Sequence, residues 1–123
     1  MVKLRILSFQ LLIVSYMNTK YIALLFYDIP NSTKEQSYKY TKFRKYILSI
    51  GFVMLQQSVY VKSINSKHKY QLIKRDLTLA SPSESNVRSL LITESVYNNL
   101  DLINGEQSFK EQIISKKIRV LEL

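Results

Sequence analysis

Cysteine is absent from the 123 residues, which excludes disulfides, thiolate metal sites and a cysteine nucleophile, and which suits a reducing compartment such as the cytoplasm. Glycine occurs only at Gly51 and Gly105, so no glycine-rich loop for nucleotide phosphates can be built. Proline is equally scarce (Pro30 and Pro82), and loops are expected to be few and short. The single histidine, His68, lies between Lys67 and Lys69 and is expected to be a solvated surface residue. A Ser-His-Asp triad would have to use it, and nothing else supports one. The apolar run from Ile6 to Tyr16 is broken by Ser8, Gln10 and Ser15, and no small-residue cleavage site follows. It is too short to span a bilayer, so no membrane partner is expected. Met17 stands directly before the first good strand; residues 1–16 are therefore expected to be an over-extended start with no assigned function. There is no internal repeat or low-complexity tract.

What the chain does have is apolar content and positive charge. Its length fits one compact domain, here residues 17–123, and its 46% hydrophobic content is that of a globular chain. Eighteen Lys and Arg against nine Asp and Glu give a net charge of +9. So basic a small domain attracts polyanions, and nucleic acid is the commonest in a cell.

Tyr21 to Tyr27 is a nearly unbroken apolar run, the pattern of a strand buried on both faces, and Pro30 ends it. Two overlapping capping boxes follow, Ser32 with Glu35 and Thr33 with Gln36. Tyr40, Phe43, Ile47 and Ile50 then recur at helical spacing, with Lys34, Arg44 and Lys45 on the other side, until Gly51 stops the helix. Phe52 to Leu55 and Ser58 to Val61 read as strands joined through a bend or bulge at Gln56-Gln57. Asn65 or Ser66 caps a second helix with the stripe Tyr70, Ile73, Leu77 and Ala80. Val87 to Thr93 is a further strand, a helical turn covers Val96 to Leu100, and Ile118 to Leu123 alternates like a terminal strand within a tail at 107–123. The order β-α-β-β-α-β predicts an α+β, ferredoxin-like fold: a four-stranded antiparallel sheet, two helices on one face, and an extra C-terminal strand.

Two groups of residues carry chemistry. Asp28 directly follows the first strand, where a strand end presents its side chain at an open edge; beside Pro30 it serves equally well as turn chemistry. One carboxylate does not make a Mg²⁺ site, but a two-fold axis supplies a second copy. Lys34, Lys39, Lys42, Arg44 and Lys45 interleave with Tyr38, Tyr40 and Tyr46, a set suited to phosphate contacts and base stacking if the tyrosines are not core. Lys42, Arg44 and Lys45 are the candidate nucleic-acid contacts.

Ordered segments extend this reading. Tyr27-Asp28-Ile29-Pro30, Tyr40-x-x-Phe43-Arg44-Lys45-Tyr46, Gly51-Phe52-Val53-Met54-x-Gln56-x-Ser58-Val59-Tyr60, Val87-Arg88, Thr93-Glu94-x-x-Tyr97 and Gly105-Glu106 resemble, in order, the motifs of the CRISPR-associated protein 2 family, closest to the type II version. The resemblance spans about Tyr21 to Glu106, with Tyr27, Pro30, Ser58 and Tyr60 as motif residues. It implies a ferredoxin-like homodimer that bridges dimers of the integrase CRISPR-associated protein 1 and holds double-stranded prespacer DNA during spacer acquisition. It also implies a divalent cation, Mg²⁺, at the dimer interface, shared by Asp28 of both protomers as catalytic and metal-binding residue of an endonuclease acting on RNA or DNA. Some members are similar in sequence yet act only as scaffolds, and here residues 31 to 37 offer Lys34 as their sole cation where nuclease members carry arginines. Whether the chain is an enzyme therefore stays open. The terminal strand Ile118 to Leu123 is expected to complete the partner's sheet or dock the integrase. A toxin-type RNA interferase of similar fold is the alternative.

Overall fold

The computed structural model describes residues 21–107. The extension at residues 1–16 and the expected terminal strand Ile118 to Leu123 lie outside the described residues. Four strands and three helices follow in the order β1 (Tyr21–Asp28), α1 (Lys34–Ser49), β2 (Val53–Gln56), β3 (Val59–Ile64), α2 (Lys67–Ala80), β4 (Asn86–Thr93) and α3 (Glu94–Asn98). The sheet runs β2-β3-β1-β4 with every pairing antiparallel. This is the ferredoxin-like arrangement expected from the sequence, with the short α3 added after β4.

Each boundary has a local cause. Of the two capping boxes, the structure uses Thr33 with Gln36: the Thr33 hydroxyl accepts from Gln36 N at 3.1 Å, and the Gln36 side chain accepts from Thr33 N at 3.2 Å. Ser66, not Asn65, caps α2, accepting from Lys69 N at 3.1 Å. Helix α1 ends in a Schellman turn, with Phe52 N donating to the Ile47 carbonyl at 3.0 Å and Gly51 N to Leu48 at 3.1 Å. Gly51 has φ +99°, a conformation L side chains avoid. Because the Phe52 N–H serves the helix, β2 starts at Val53, one residue later than the apolar pattern indicates. A bulge lies between Met54 and Gln56, and Gln57 and Ser58 make the hairpin turn, with Ser58 in the left-handed region at φ 65°.

The main core lies between the sheet and the helices. Ala23, Leu25 and Tyr27 of β1 meet Phe43 and Ile47 of α1, Tyr60 and Ile64 of β3, and Tyr70 and Leu77 of α2. Full burial of each large side chain contributes about 1.5–3 kcal/mol. The opposite face is only partly covered: Tyr97 of α3 packs on Ile22 and Val61, with Leu24, Val53, Leu55 and Ile92 around them. The strand expected to be buried on both faces is therefore open toward its C-terminal end. Phe26 is 38% exposed there, and Leu90, which faces Leu24 across the β1–β4 pair, is 52% exposed.

Candidate functional site

Side chains alternate across a strand, so Ile22, Leu24, Phe26 and Asp28 share the open face. Asp28 is the last residue of β1 and still pairs with Asn86 of β4, which corrects the strand end expected at Tyr27. Phe26 pairs with Arg88, so Asn86 lies directly across from Asp28 and Arg88 diagonally from it. Diagonal neighbours sit about 7–8 Å apart, within reach of a long side chain. The register thus brings an amide and a guanidinium to the Asp28 corner from a strand nearly sixty positions later. Linear sequence gives no sign of this; only the pairing reveals it. Asp28 is exposed and makes no ion pair among the described residues. Three acidic or histidine side chains do not converge anywhere among the described residues, so no metal cluster is built within one copy. Exposed and carrying hard carboxylate oxygens, Asp28 fits a Mg²⁺ ion when a second carboxylate is supplied from outside this copy.

The motif residues divide between the faces. Tyr27 is buried on the helix side, its ring edge-on to Phe43 at 5.1 Å and stacked on Tyr60 at 5.6 Å. Its hydroxyl is buried without a hydrogen bond among the described residues, although the Tyr60 and Tyr40 phenols lie near enough to act on its ionisation. Burial first, and then those two phenols, push the Tyr27 pKa far above the ordinary tyrosine value. Tyr27 N donates to the Ser58 carbonyl at 3.1 Å, which ties the hairpin turn to β1. Pro30 is exposed just past the strand.

The helix layer carries the positive charge. Lys34, Lys39, Lys42, Arg44 and Lys45 of α1 and Lys67, Lys69, Lys74 and Arg75 of α2 are opposed there only by Glu35 and Asp76. Lys42, Arg44 and Lys45 are all exposed, as a phosphate surface requires. Of the interleaved tyrosines, Tyr40 and Tyr46 pack against the core, whereas Tyr38 is 67% exposed and free to stack. Arg44 Nε donates to the Tyr60 hydroxyl at 3.2 Å, and that bond is the main cause of a raised Arg44 pKa. His68 is exposed, as expected. A cleft of about 420 Å³ between α2 and β4, lined by Lys74, Thr78, Ser81, Ser85 and Val87 among others, does not include Asp28.

The sequence model of the family described as CRISPR associated protein Cas2 matches residues 20–100. The chain belongs to the Cas2 family. Its similarity to individual members is substantial: it is 33% identical over 84 residues to a CRISPR-associated endoribonuclease Cas2 from Ligilactobacillus salivarius, covering 68% of this chain and 83% of that one. A protein of the same description from Treponema denticola is 32% identical over 98 residues, covering 80% and 97%. One from Streptococcus mutans is 38% identical over 85 residues, covering 68% and 78%. The Cas2 family match contains the Asp28 corner, the whole sheet and both long helices. No helix among the described residues is long and apolar enough to cross a membrane.

Proposed function

We propose that this chain is a nucleic-acid-binding subunit of CRISPR spacer acquisition, acting as a homodimer that bridges two dimers of the CRISPR-associated protein 1 integrase along prespacer duplex. The observation that carries the reading is the separation of surfaces. Cations suited to a phosphate backbone concentrate on α1 and α2, beside exposed Leu48, Leu72 and Leu79, while the opposite sheet face exposes the Phe26 and Leu90 side chains next to the Asp28 corner. A polyanion and a second copy then bind without competing for one surface. Duplex contact is made mainly through phosphates, with Lys42, Arg44 and Lys45 central to it.

The relatives described as endoribonucleases favour a second activity at the same molecule. In this reading Asp28 from each of two copies holds Mg²⁺, which supplies charge stabilisation and an activated water for phosphodiester hydrolysis. Asn86 and Arg88 flank the carboxylate, Arg88 being placed to hold a substrate phosphate.

Asp28→Asn tests both parts, because it keeps the shape and removes the charge. Mg²⁺-dependent cleavage of RNA and DNA is expected to fall about a hundredfold or more, while duplex binding and integration with the integrase survive. Persistent cleavage would remove Asp28 from the reaction. Loss of integration with an intact dimer would make Asp28 part of the assembly instead.

A further inference from the structure

Arg44 differs from the cations around it in what holds it. Lys39 pairs with Glu35 at 3.3 Å, and Arg75 with Asp76 at 3.4 Å. Lys74 lies 5.1 Å above the Tyr70 ring, and Lys62 Nζ donates to the Ile50 carbonyl at 2.7 Å. Arg44 instead donates through Nε to the phenol hydroxyl of Tyr60, and among the described residues no carboxylate pairs with it. The guanidinium is therefore located without being neutralised.

The phenol that locates it is fixed by the core. Tyr60 is 1% exposed, and its ring stacks on Tyr27, which in turn meets Tyr40 and Phe43 edge-on at 6.1 and 5.1 Å. These packed rings leave the Tyr60 hydroxyl little freedom, so the Nε–H of Arg44 has one direction to follow. A guanidinium carries five N–H donors in a planar fork. With Nε engaged, the two terminal nitrogens of the exposed Arg44 make no hydrogen bond among the described residues, and the edge between them matches two phosphate oxygens. Holding the fork in place before binding removes part of the rotamer entropy that a free lysine loses on contact. Lys42 and Lys45 have no such anchor among the described residues.

We infer that Tyr60 is a positioning residue that presets Arg44 as a bidentate clasp for a backbone phosphate of duplex nucleic acid. The inference rests on the duplex-binding reading above. It separates Arg44 from its lysine neighbours and gives a motif tyrosine a role through its hydroxyl rather than its ring.

The test measures binding of a 30-base-pair duplex of arbitrary sequence across a salt series, with wild type, Arg44→Gln, Arg44→Lys, Tyr60→Phe and the Arg44→Gln/Tyr60→Phe double variant. Arg44→Gln is expected to weaken binding about tenfold and lower the salt slope by about 0.9, the value for one lost phosphate contact. Tyr60→Phe keeps the ring and the net charge, yet should weaken binding several-fold and lower the slope in the same direction. Arg44→Lys should fail to restore wild-type affinity. In the Arg44→Gln background, Tyr60→Phe should change nothing further. A purely structural role for Tyr60 leaves the salt slope unchanged and persists in the double variant, and either result overturns the inference. Wild-type binding that does not depend on salt overturns the duplex reading as well, which tells the two failures apart.

Discussion

Lys62 Nζ donates to the carbonyl oxygen of Ile50 at 2.7 Å, so a strand cation closes the C-terminal end of a helix twelve residues earlier in the chain. The ammonium lies over Gly51, where an added Cβ would come within 2.6 Å of it. Three features thus depend on one another: the Schellman turn, the glycine at φ +99° and the half-buried lysine. Gly51→Ala should lower stability by roughly 1–2 kcal/mol from the backbone conformation alone, more if Lys62 is displaced. A urea midpoint read against wild type measures this, and an unchanged midpoint would show that the turn relaxes freely.

Lys62 also sets a pH dependence. Burial first, and then the charge of Lys69, hold its pKa below the ordinary lysine value of 10.5. Below the depressed folded pKa both states are protonated and the native state bears the penalty of a desolvated charge. As pH rises from there to 10.5 the unfolded state binds more protons, so this group's contribution to stability rises. Lys62→Met should remove that rising component, seen as a changed slope of stability with pH just below 10.5.

Tyr27 acts in the opposite sense. Its folded pKa is raised far above the ordinary tyrosine value of 10.0, so the native phenol keeps its proton while the unfolded one ionises. Its contribution is complete below pH 10.0 and falls as pH rises beyond it. Tyr27→Phe should flatten that alkaline loss. At neutral pH it should cost less than about 1 kcal/mol or stabilise slightly, because it removes a buried hydroxyl that has no hydrogen-bond partner among the described residues. A large loss at neutral pH would mean that the hydroxyl is bonded in solution.

Phe26→Glu places a charge on the open sheet face without touching the helix-side core. If that face seats a second copy, sedimentation should show the variant as a monomer with wild-type helix content. A variant that still dimerises would move the interface elsewhere.

Charge reversal of Lys42, Arg44 and Lys45 together should weaken duplex binding more than any other set of three cations. It should also reduce the salt slope by about 3 if each meets one phosphate. Unchanged affinity would assign the duplex to α2.

Much of the fold was legible because its signals are local. The aromatic run of β1, the Thr33–Gln36 box, Gly51 and the stripes of α1 and α2 each lie within a few turns of chain. The element order was enough to give the sheet topology. What escaped was set by pairing. That Asp28 shares a face with Phe26, Asn86 and Arg88 follows from the β1–β4 register, which joins residues about sixty apart. Phe52 read as a strand residue because it is apolar, yet its amide completes a helix cap. Lys62 lies just past the strand expected at Ser58 to Val61, and nothing local tells that its ammonium reaches Ile50 or that the Tyr60 hydroxyl receives Arg44.

Helix α3 has only five residues, and Tyr97 is its one buried side chain. A segment that short has little stability of its own and is held by the Thr93 cap and by the packing of Tyr97 on Ile22 and Val61. In terms of hydrogen exchange, α3 is the part of the described fold expected to open first, well below the free energy of global unfolding. Each opening uncovers the other end of the sheet face that Phe26 and Leu90 already leave bare. The area of that face is therefore a fluctuating quantity, and anything that seats itself there will slow the exchange of the α3 amides before it slows any in the sheet.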